Sequence, residues 1–336
     1  MKAMVEYKAG IVGCGGIGRV HAATYRSIEG IEVVACCDIN PTNLNAFSEK
    51  FHIARRYSNH SEMLEAGGID ILSICTWPRT HCEVTVRAAL SGVKGIMCEK
   101  PLATNLNEAD EMIDACRQNG VVLAIGHEHR FDPQCTKARE VIDAGGIGGL
   151  KLIWGHCSLD LMNNGSHVID LVDYLNGDVG AVWVMGQIDR RGKRFGVANH
   201  PDMYVEDMAV GHVKYRNGAE AVIELGEFAP QDFRFHVIGD KGQIEVNAPD
   251  SFLKIVNADG IQYPKILEAD PFHEEMLELV KAIEEGRDHL SSGIRGRAAL
   301  EIIMAIFQSS RNRALIELPL NIKGNPLEEM IKEGIV

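Results

Sequence analysis

Short apolar runs and longer amphipathic stretches take turns along the first 130 positions of this chain. The runs at 8–12, 32–37, 69–75, 95–98 and 121–125 are mostly apolar and rich in Ile, Val, Leu and Cys, which predicts strands buried on both faces. Between them, 16–27, 81–91 and 107–119 have helical spacing and predict helices. That alternation predicts a parallel, doubly wound sheet. Past residue 150 the rhythm changes. Strands are predicted at 151–157, 181–189, 208–215, 219–226, 234–239 and 243–246, with Asn217-Gly218 and Asp240-Lys241-Gly242 as turn residues. These form a largely antiparallel sheet, flanked by helices over 166–175, 272–285 and 293–310. Runs such as Ala221-Val222-Ile223-Glu224-Leu225 put apolar side chains on both sheet faces. With one face covered by the helices and the first domain, the other stays open. It then either meets a second copy, giving a homodimer or homotetramer, or stands as a solvated amphipathic face.

The chain has 336 residues, more than one hydrophobic core supports, so two domains are expected, over 1–130 and 131–336. The C-terminal helices are free to pack back on the first. A formal net charge of -13 argues against general affinity for nucleic acid or an anionic membrane. No apolar run approaches the roughly 18 residues that cross a bilayer, and a soluble, cytoplasmic protein is expected. Nine cysteines form no C-x-x-C pair and sit mostly in strand runs, as reduced core residues do. The pairs His81-Cys82, His127 with His129, and His156-Cys157 lack the spacing of a metal site, so no metal is expected.

The chemistry begins where the first strand ends, in Gly13-Cys14-Gly15-Gly16-Ile17-Gly18. Strand, G-x-G-x-x-G and helix form the phosphate-binding turn of a Rossmann dinucleotide fold. Gly13 permits the tight turn, Gly15 lets a pyrophosphate approach the backbone, and Gly18 lets the helix pack close to the sheet. The anion sits on free N–H groups at the helix start, from Gly16 onward. The second strand ends at Asp38, about twenty residues past Gly18, where a carboxylate accepts from ribose hydroxyls and repels a 2′-phosphate. No arginine follows immediately, so NAD is expected over NADP; the alternative is that Asp38 only opens the turn Asp38-Ile39-Asn40-Pro41. The fold class is thus α/β: an N-terminal Rossmann sheet, then a C-terminal α+β domain with a large, mostly antiparallel open-faced sheet.

The fourth apolar run leads into Glu99-Lys100-Pro101-Leu102, at the carboxyl edge where such sheets bind ligands. Pro101 restricts the backbone of Lys100. By position the lysine either donates to a substrate oxygen or is a solvated loop residue. Together with Thr76-Trp77-Pro78-Arg79-Thr80-His81, Gly126-His127-Glu128-His129-Arg130-Phe131, Gly145-Gly146-Ile147-Gly148 and Val237-Ile238-Gly239-Asp240-Lys241-Gly242, this run occurs in the order of a known family. Nearly the whole chain resembles the glucose-fructose oxidoreductase, inositol dehydrogenase and rhizopine catabolism protein (Gfo/Idh/MocA) family. The resemblance implies a nicotinamide-dependent oxidoreductase acting on a secondary hydroxyl of a sugar, sugar derivative or cyclitol. It implies cofactor contacts at Gly13, Gly15, Gly16, Ile17, Gly18, Asp38, Thr76, Trp77, Pro78, His81, Glu99 and Lys100. It implies substrate contacts at Lys100, His127, His129, Arg130, Asp160, Asn163 and His167, and often a cis bond before the proline that matches Pro101.

In the helix predicted at 166–175, Val168, Leu171, Val172 and Leu175 form the apolar stripe, with Asn163, His167, Asp170 and Tyr174 on a neighbouring face. A lone helical histidine is ordinarily structural, whereas the family's D-x-x-x-H pattern makes His167 the acid/base group, with Lys100 and Asn163 as its catalytic companions. Asn163 stands where an aspartate is common, and an amide accepts no proton. It either bonds a sugar hydroxyl or caps the helix, with Asp160 as a replacement carboxylate. Family members that act at the C3 hydroxyl of sugars or sugar nucleotides look similar at this position, so the resemblance tilts the reading toward a pyranose reacting at C3. Arg190, Arg191, Lys193 and Arg194, before Asn199-His200-Pro201, either grip an acidic substrate or form a solvated loop. Two rival functions remain open at this point: a glycosidase using NAD for transient oxidation and elimination, and a non-catalytic dinucleotide sensor.

Overall fold

The computed structural model describes residues 7–192, 195–197, 200–227 and 229–336. In chain order the first elements are β1 (Tyr7–Val12), α1 (Gly16–Ser27), β2 (Ile31–Cys37), α2 (Pro41–Phe51), β3 (Arg55–Tyr57), α3 (His60–Glu65), β4 (Ile71–Ile74), α4 (His81–Ala89), β5 (Gly95–Cys98), α5 (Leu106–Gln118) and β6 (Val122–Ile125). There follow α6 (Pro133–Asp143), β7 (Leu150–Cys157), α7 (Ser166–Leu175), β8 (Ala181–Asp189), β9 (Phe195–Val197), β10 (His200–Tyr204), β11 (Met208–Tyr215), β12 (Glu220–Gly226) and β13 (Arg234–Gly239). The chain ends with β14 (Gly242–Ala248), β15 (Ser251–Asn257), β16 (Gly260–Gln262), α8 (Pro271–Glu285), α9 (Gly293–Asn312), β17 (Ile316–Glu317) and α10 (Pro326–Lys332). They form two compact units: described residues up to Glu128 with Asp270–Gly296, and His129–Ala269 with Arg297–Val336.

The first unit is a six-stranded sheet in the order β3-β2-β1-β4-β5-β6, parallel throughout. Its strands are apolar on both faces because helices cover both. The register aligns the strand ends: Cys37 pairs with Val12, Val12 with Ile74, Ile74 with Cys98 and Cys98 with Ile125. Every following loop therefore leaves from one edge of the sheet. Asparagine side chains cap the helices that begin there or nearby: Asn40 accepts from Thr42 N and Asn43 N, and Asn105 from Glu108 N. Met276 and Leu279 of α8 join the core of this unit with Tyr25, Phe47 and Ile71.

The second unit is built on a nine-stranded sheet in the order β16-β15-β14-β13-β7-β12-β11-β8-β17. One pair departs from the antiparallel expectation, because β7 and β12 run parallel. Alternate residues such as Ile153, Ile223, Val213, Val237 and Ile244 point to a buried face under the helices. Glycines let those helices approach: a Cβ on Gly155 would sit 3.0 Å from Val168 of α7, and one on Gly211 would sit 2.6 Å from Ile306 of α9. The opposite face has Trp154, Met185, Met208 and Val210 exposed. β9 and β10 pair separately. All nine cysteines are free and eight are buried.

Candidate active site

Gly13 holds φ +98, and a Cβ there would lie 2.4 Å from Cys75 O, so only glycine makes this turn. A Cβ on Gly18 would meet Gly13 O at 2.0 Å, the close helix packing the motif implied. Around Gly15 and Gly16 nothing lies within 4 Å of a built Cβ, which leaves the phosphate side of the turn open. Ile17 packs onto the core. At the end of β2, Asp38 is held through both of its carboxylate oxygens. Its Oδ1 accepts from Asn40 N at 2.7 Å, opening the next turn, and its Oδ2 accepts from Cys14 N at 2.8 Å. The carboxylate is thereby fixed beside the glycine turn, with lone pairs left over for a ribose diol. An open glycine cradle, a helix N-terminus and a fixed carboxylate fit NAD.

The neighbouring loops are clamped by buried side chains. His81 is fully buried, with Nε2 3.0 Å from Thr76 O and Nδ1 3.1 Å from Pro101 O. Burial pushes its pKa down, against the pull of those carbonyls. Both ring nitrogens are thus used inside the fold, so the side chain serves the cofactor edge by joining the Thr76-Trp77-Pro78 loop to the Lys100-Pro101 loop. The Lys100–Pro101 bond is cis. Glu99 is held from behind by a residue the sequence did not single out: His21 of α1 lies with Nε2 2.9 Å from Glu99 Oε1 and Nδ1 3.0 Å from Ser73 Oγ. Tyr25 completes this network through its hydroxyl, 2.9 Å from Ser73 Oγ. Burial raises the Glu99 pKa, but His21 and Lys100 outweigh it and hold the carboxyl below its usual range. His127 lies buried just past β6, its N–H on Ile125 O.

In the second unit a π-turn, Leu161–Gly165, leads into α7. Asp160 caps it, accepting from Asn163 N at 3.0 Å, while Glu206 accepts from Leu161 N at 2.6 Å. The capping alternative for Asn163 therefore falls to Asp160 instead, and Asn163 lies in the π-turn rather than on the helix face. His167 is buried in the first turn of α7. Its ring meets the rings of His129 and Phe233 edge-on, at centroid distances of 4.9 and 5.5 Å. His129 is held by Asp132, whose Oδ2 lies 2.7 Å from Nδ1.

Arg130 requires a correction. A substrate contact was expected, yet its buried guanidinium faces Asp170 in a paired geometry, Nε to Oδ2 at 2.7 Å and Nη2 to Oδ1 at 2.8 Å. Asp178 adds a bond at 2.9 Å and the Tyr174 ring lies 5.3 Å away. Burial opposes the charge, and the two carboxylates outweigh it, keeping the pKa above its ordinary value. Arg130 thus holds the α7 region in place from within. In the basic cluster, Lys193, Arg194 and Asn199 lie outside the described residues. Arg190 is buried and donates through Nε to Val205 O at 3.1 Å, and Arg191 pairs with Asp189 at 2.5 Å, so both are engaged within the chain.

Comparison with known proteins agrees with this geometry. A family model described as oxidoreductase family, NAD-binding Rossmann fold matches residues 7–127, and a Gfo/Idh/MocA C-terminal domain model matches 160–245. Myo-inositol 2-dehydrogenase of Thermotoga maritima is 26% identical over 93% of this chain and 98% of that protein. D-apiose dehydrogenase of Paraburkholderia graminis is 26% identical over 93% of this chain and 90% of that protein. A solved structure of levoglucosan dehydrogenase in complex with NADH and L-sorbose shares the fold, with a TM-score of 0.85 and 21% identity over 95% of this chain and 100% of that one. The chain belongs to the Gfo/Idh/MocA family and is an NAD-dependent oxidoreductase.

Proposed function

We propose that this enzyme is a dehydrogenase that oxidises a secondary hydroxyl on the ring of a sugar, sugar derivative or cyclitol, with a pyranose reacting at C3 as the finer reading. One observation carries it: Lys100 leaves β5 at the same sheet edge as the glycine turn and Asp38, because the strand ends are in register. NAD, when bound, supplies the hydride acceptor. Lys100 donates a hydrogen bond to the substrate oxygen and stabilises the negative charge that grows there. His167 takes the hydroxyl proton, working from a buried position on α7. Asn163 hydrogen-bonds a ring hydroxyl, since its amide cannot accept a proton. The similarity to a myo-inositol 2-dehydrogenase and a D-apiose dehydrogenase supports this class of substrate. We also infer that a second copy covers the open face of the large sheet.

The test begins with NAD reduction over inositols, free sugars, uronic acids and glycosides. On the substrate so found, His167→Ala should lower turnover by about a hundredfold to ten-thousandfold. Lys100→Met should be comparably severe in turnover, and NAD affinity should barely change in His167→Ala. Near-normal turnover in His167→Ala would overturn the assignment. Glycoside hydrolysis without accumulation of reduced cofactor would overturn the dehydrogenase reading.

A further inference from the structure

A carboxylate is buried at the carboxyl edge of the first sheet, directly before Lys100. Glu99 is 8% exposed, and His21, Tyr25 and Ser73 behind it are fully buried. Burying an ion is a poor route to stability, since apolar side chains of similar volume often serve as well or better. This one stands where sheets of the kind bind ligands, and its bonds converge on it from the helix and the sheet. A carboxylate only accepts, so the hydrogen on His21 Nε2 points at Glu99 Oε1, 2.9 Å away. Nδ1 of the same ring is 3.0 Å from Ser73 Oγ, which is 2.9 Å from the Tyr25 hydroxyl. The ring is held at both nitrogens, so its orientation is set from behind. His21 and Tyr25 stand one turn apart on α1, and Ser73 lies on β4.

Room for the carboxylate comes from Gly126 past β6, where a Cβ would lie 3.0 Å from Glu99 Oε1. On its other side Glu99 grips residue 100 twice. Oε2 accepts from the Lys100 backbone N–H at 3.3 Å, and the Lys100 ammonium is near enough for its charge to lower the carboxyl pKa. A buried donor chain thus ends on an ion, and that ion faces the lysine.

We propose that Glu99 is a positioning residue for the reaction, kept charged by His21 and Ser73 so that it holds Lys100 where the lysine donates to the substrate oxygen. The inference rests on the reading of Lys100 as that donor. Two effects oppose each other at Glu99: burial favours the neutral acid, and the His21 bond favours the carboxylate. The other titratable groups around it do not stand in for His21. Burial raises the thiols of Cys75 and Cys98 and lowers His81, so all three are neutral at about pH 7. Burial likewise keeps the Tyr25 hydroxyl neutral, and Glu275 on α8 acts on that end of the network. Phe272, also on α8, covers the His21 ring at a centroid distance of 6.4 Å. Without His21, Glu99 therefore takes up its proton at higher pH and loses its hold on the lysine.

The experiment is a double-mutant cycle on the established substrate, following kcat, KM and pH in Glu99→Gln, Lys100→Met and the two combined. Glu99→Gln keeps one oxygen for the His21 N–H and removes the charge and the acceptor that face Lys100. Alone it should lower kcat about ten- to a hundredfold, the size of loss that misplacing a reacting group brings, with a smaller change in KM. Added to Lys100→Met it should cost nothing further, because the residue it positions is gone. In His21→Leu, kcat relative to the parent should fall as pH is lowered, and adding Glu99→Gln should abolish that dependence. An equal loss in both lysine backgrounds, or a His21→Leu ratio flat with pH, marks a structural role and overturns the inference. An unchanged kcat in Glu99→Gln overturns it as well. So does a matching loss of NAD affinity in Glu99→Gln by calorimetry, which would make the carboxylate a cofactor contact. The near-isosteric Glu99→Gln keeps the cycle readable where His21→Leu does not fold. If Lys100→Met is severely impaired while Glu99→Gln matches the parent, this inference alone fails; if Lys100→Met turns over like the parent, the reading of Lys100 fails with it.

Discussion

Two acidic residues on α7, one turn apart, meet opposite fates. Asp170 is neutralised by Arg130, and breaking such a buried pair from one side costs about 3–5 kcal/mol because the other charge stays behind. Asp173 meets a neutral donor instead: the Tyr215 hydroxyl donates to it at 2.7 Å, and burial pushes its pKa up to about 7, with Asp170 adding to the rise. The folded protein therefore holds this proton more tightly than the unfolded chain does. Its contribution to stability is complete below the unfolded carboxyl range near pH 4 and is lost as pH rises toward 7. Asp173→Asn should raise the denaturation midpoint at pH 8, with the gain shrinking toward pH 4; an equal gain at both would rule out the charge as its cause. Sequence made Gly13, Gly18 and Lys100 legible because each works through its own backbone or its strand's end. It hid His21, 78 residues from Glu99, and misread Arg130, whose partners lie 40 and 48 residues onward. No local pattern encodes pairings at such separations.

At the scale of elements, the short apolar runs of the first 130 positions gave their strands to within about two residues at either end. α6 escaped notice because its buried side chains are only Cys135 and Ala138, too few to print a helical period. β16 is exposed at all three positions and prints no strand pattern. The π-turn before α7 was also illegible. Its wider winding shifts Asn163 off the helical register that the sequence assumed. β2 ends in the element-level determinant of cofactor choice. Asp38 binds the glycine turn through Cys14 N, and no cationic side chain follows it before α2. Asp38→Ala should raise the KM for NAD and narrow the preference over NADP, as measured by the ratio of kcat/KM with the two cofactors. An unchanged ratio would remove Asp38 from cofactor selection.

At the scale of the whole molecule, the open face of the large sheet is organised in rows. Register places Met185, His212, Val222, Trp154, His236, Glu245 and Lys254 side by side across seven strands. The row is apolar and aromatic in the middle, while the Lys254–Glu245 ion pair closes one end. A surface of this kind suits a second copy related by a two-fold axis. Trp154→Glu at its centre should shift light scattering at low micromolar concentration toward monomer before it alters thermal stability. A parent protein that is already monomeric there would refute the pairing. Among the described residues, no helix is long and apolar enough to cross a membrane.

The path of the chain has a further consequence during synthesis. The sheet of the first unit is covered at β5 by α8, where a Cβ on Gly95 would lie 2.5 Å from Ile283, and Ala124 of β6 bridges to Ser292. These covering residues are encoded after the whole of 129–269. A ribosome adding about 5–20 residues per second needs roughly seven to thirty seconds to traverse that interval. For that time the nascent dinucleotide unit displays an uncovered apolar surface, a natural landing place for chaperones, and a fragment cut at Glu128 would display it permanently.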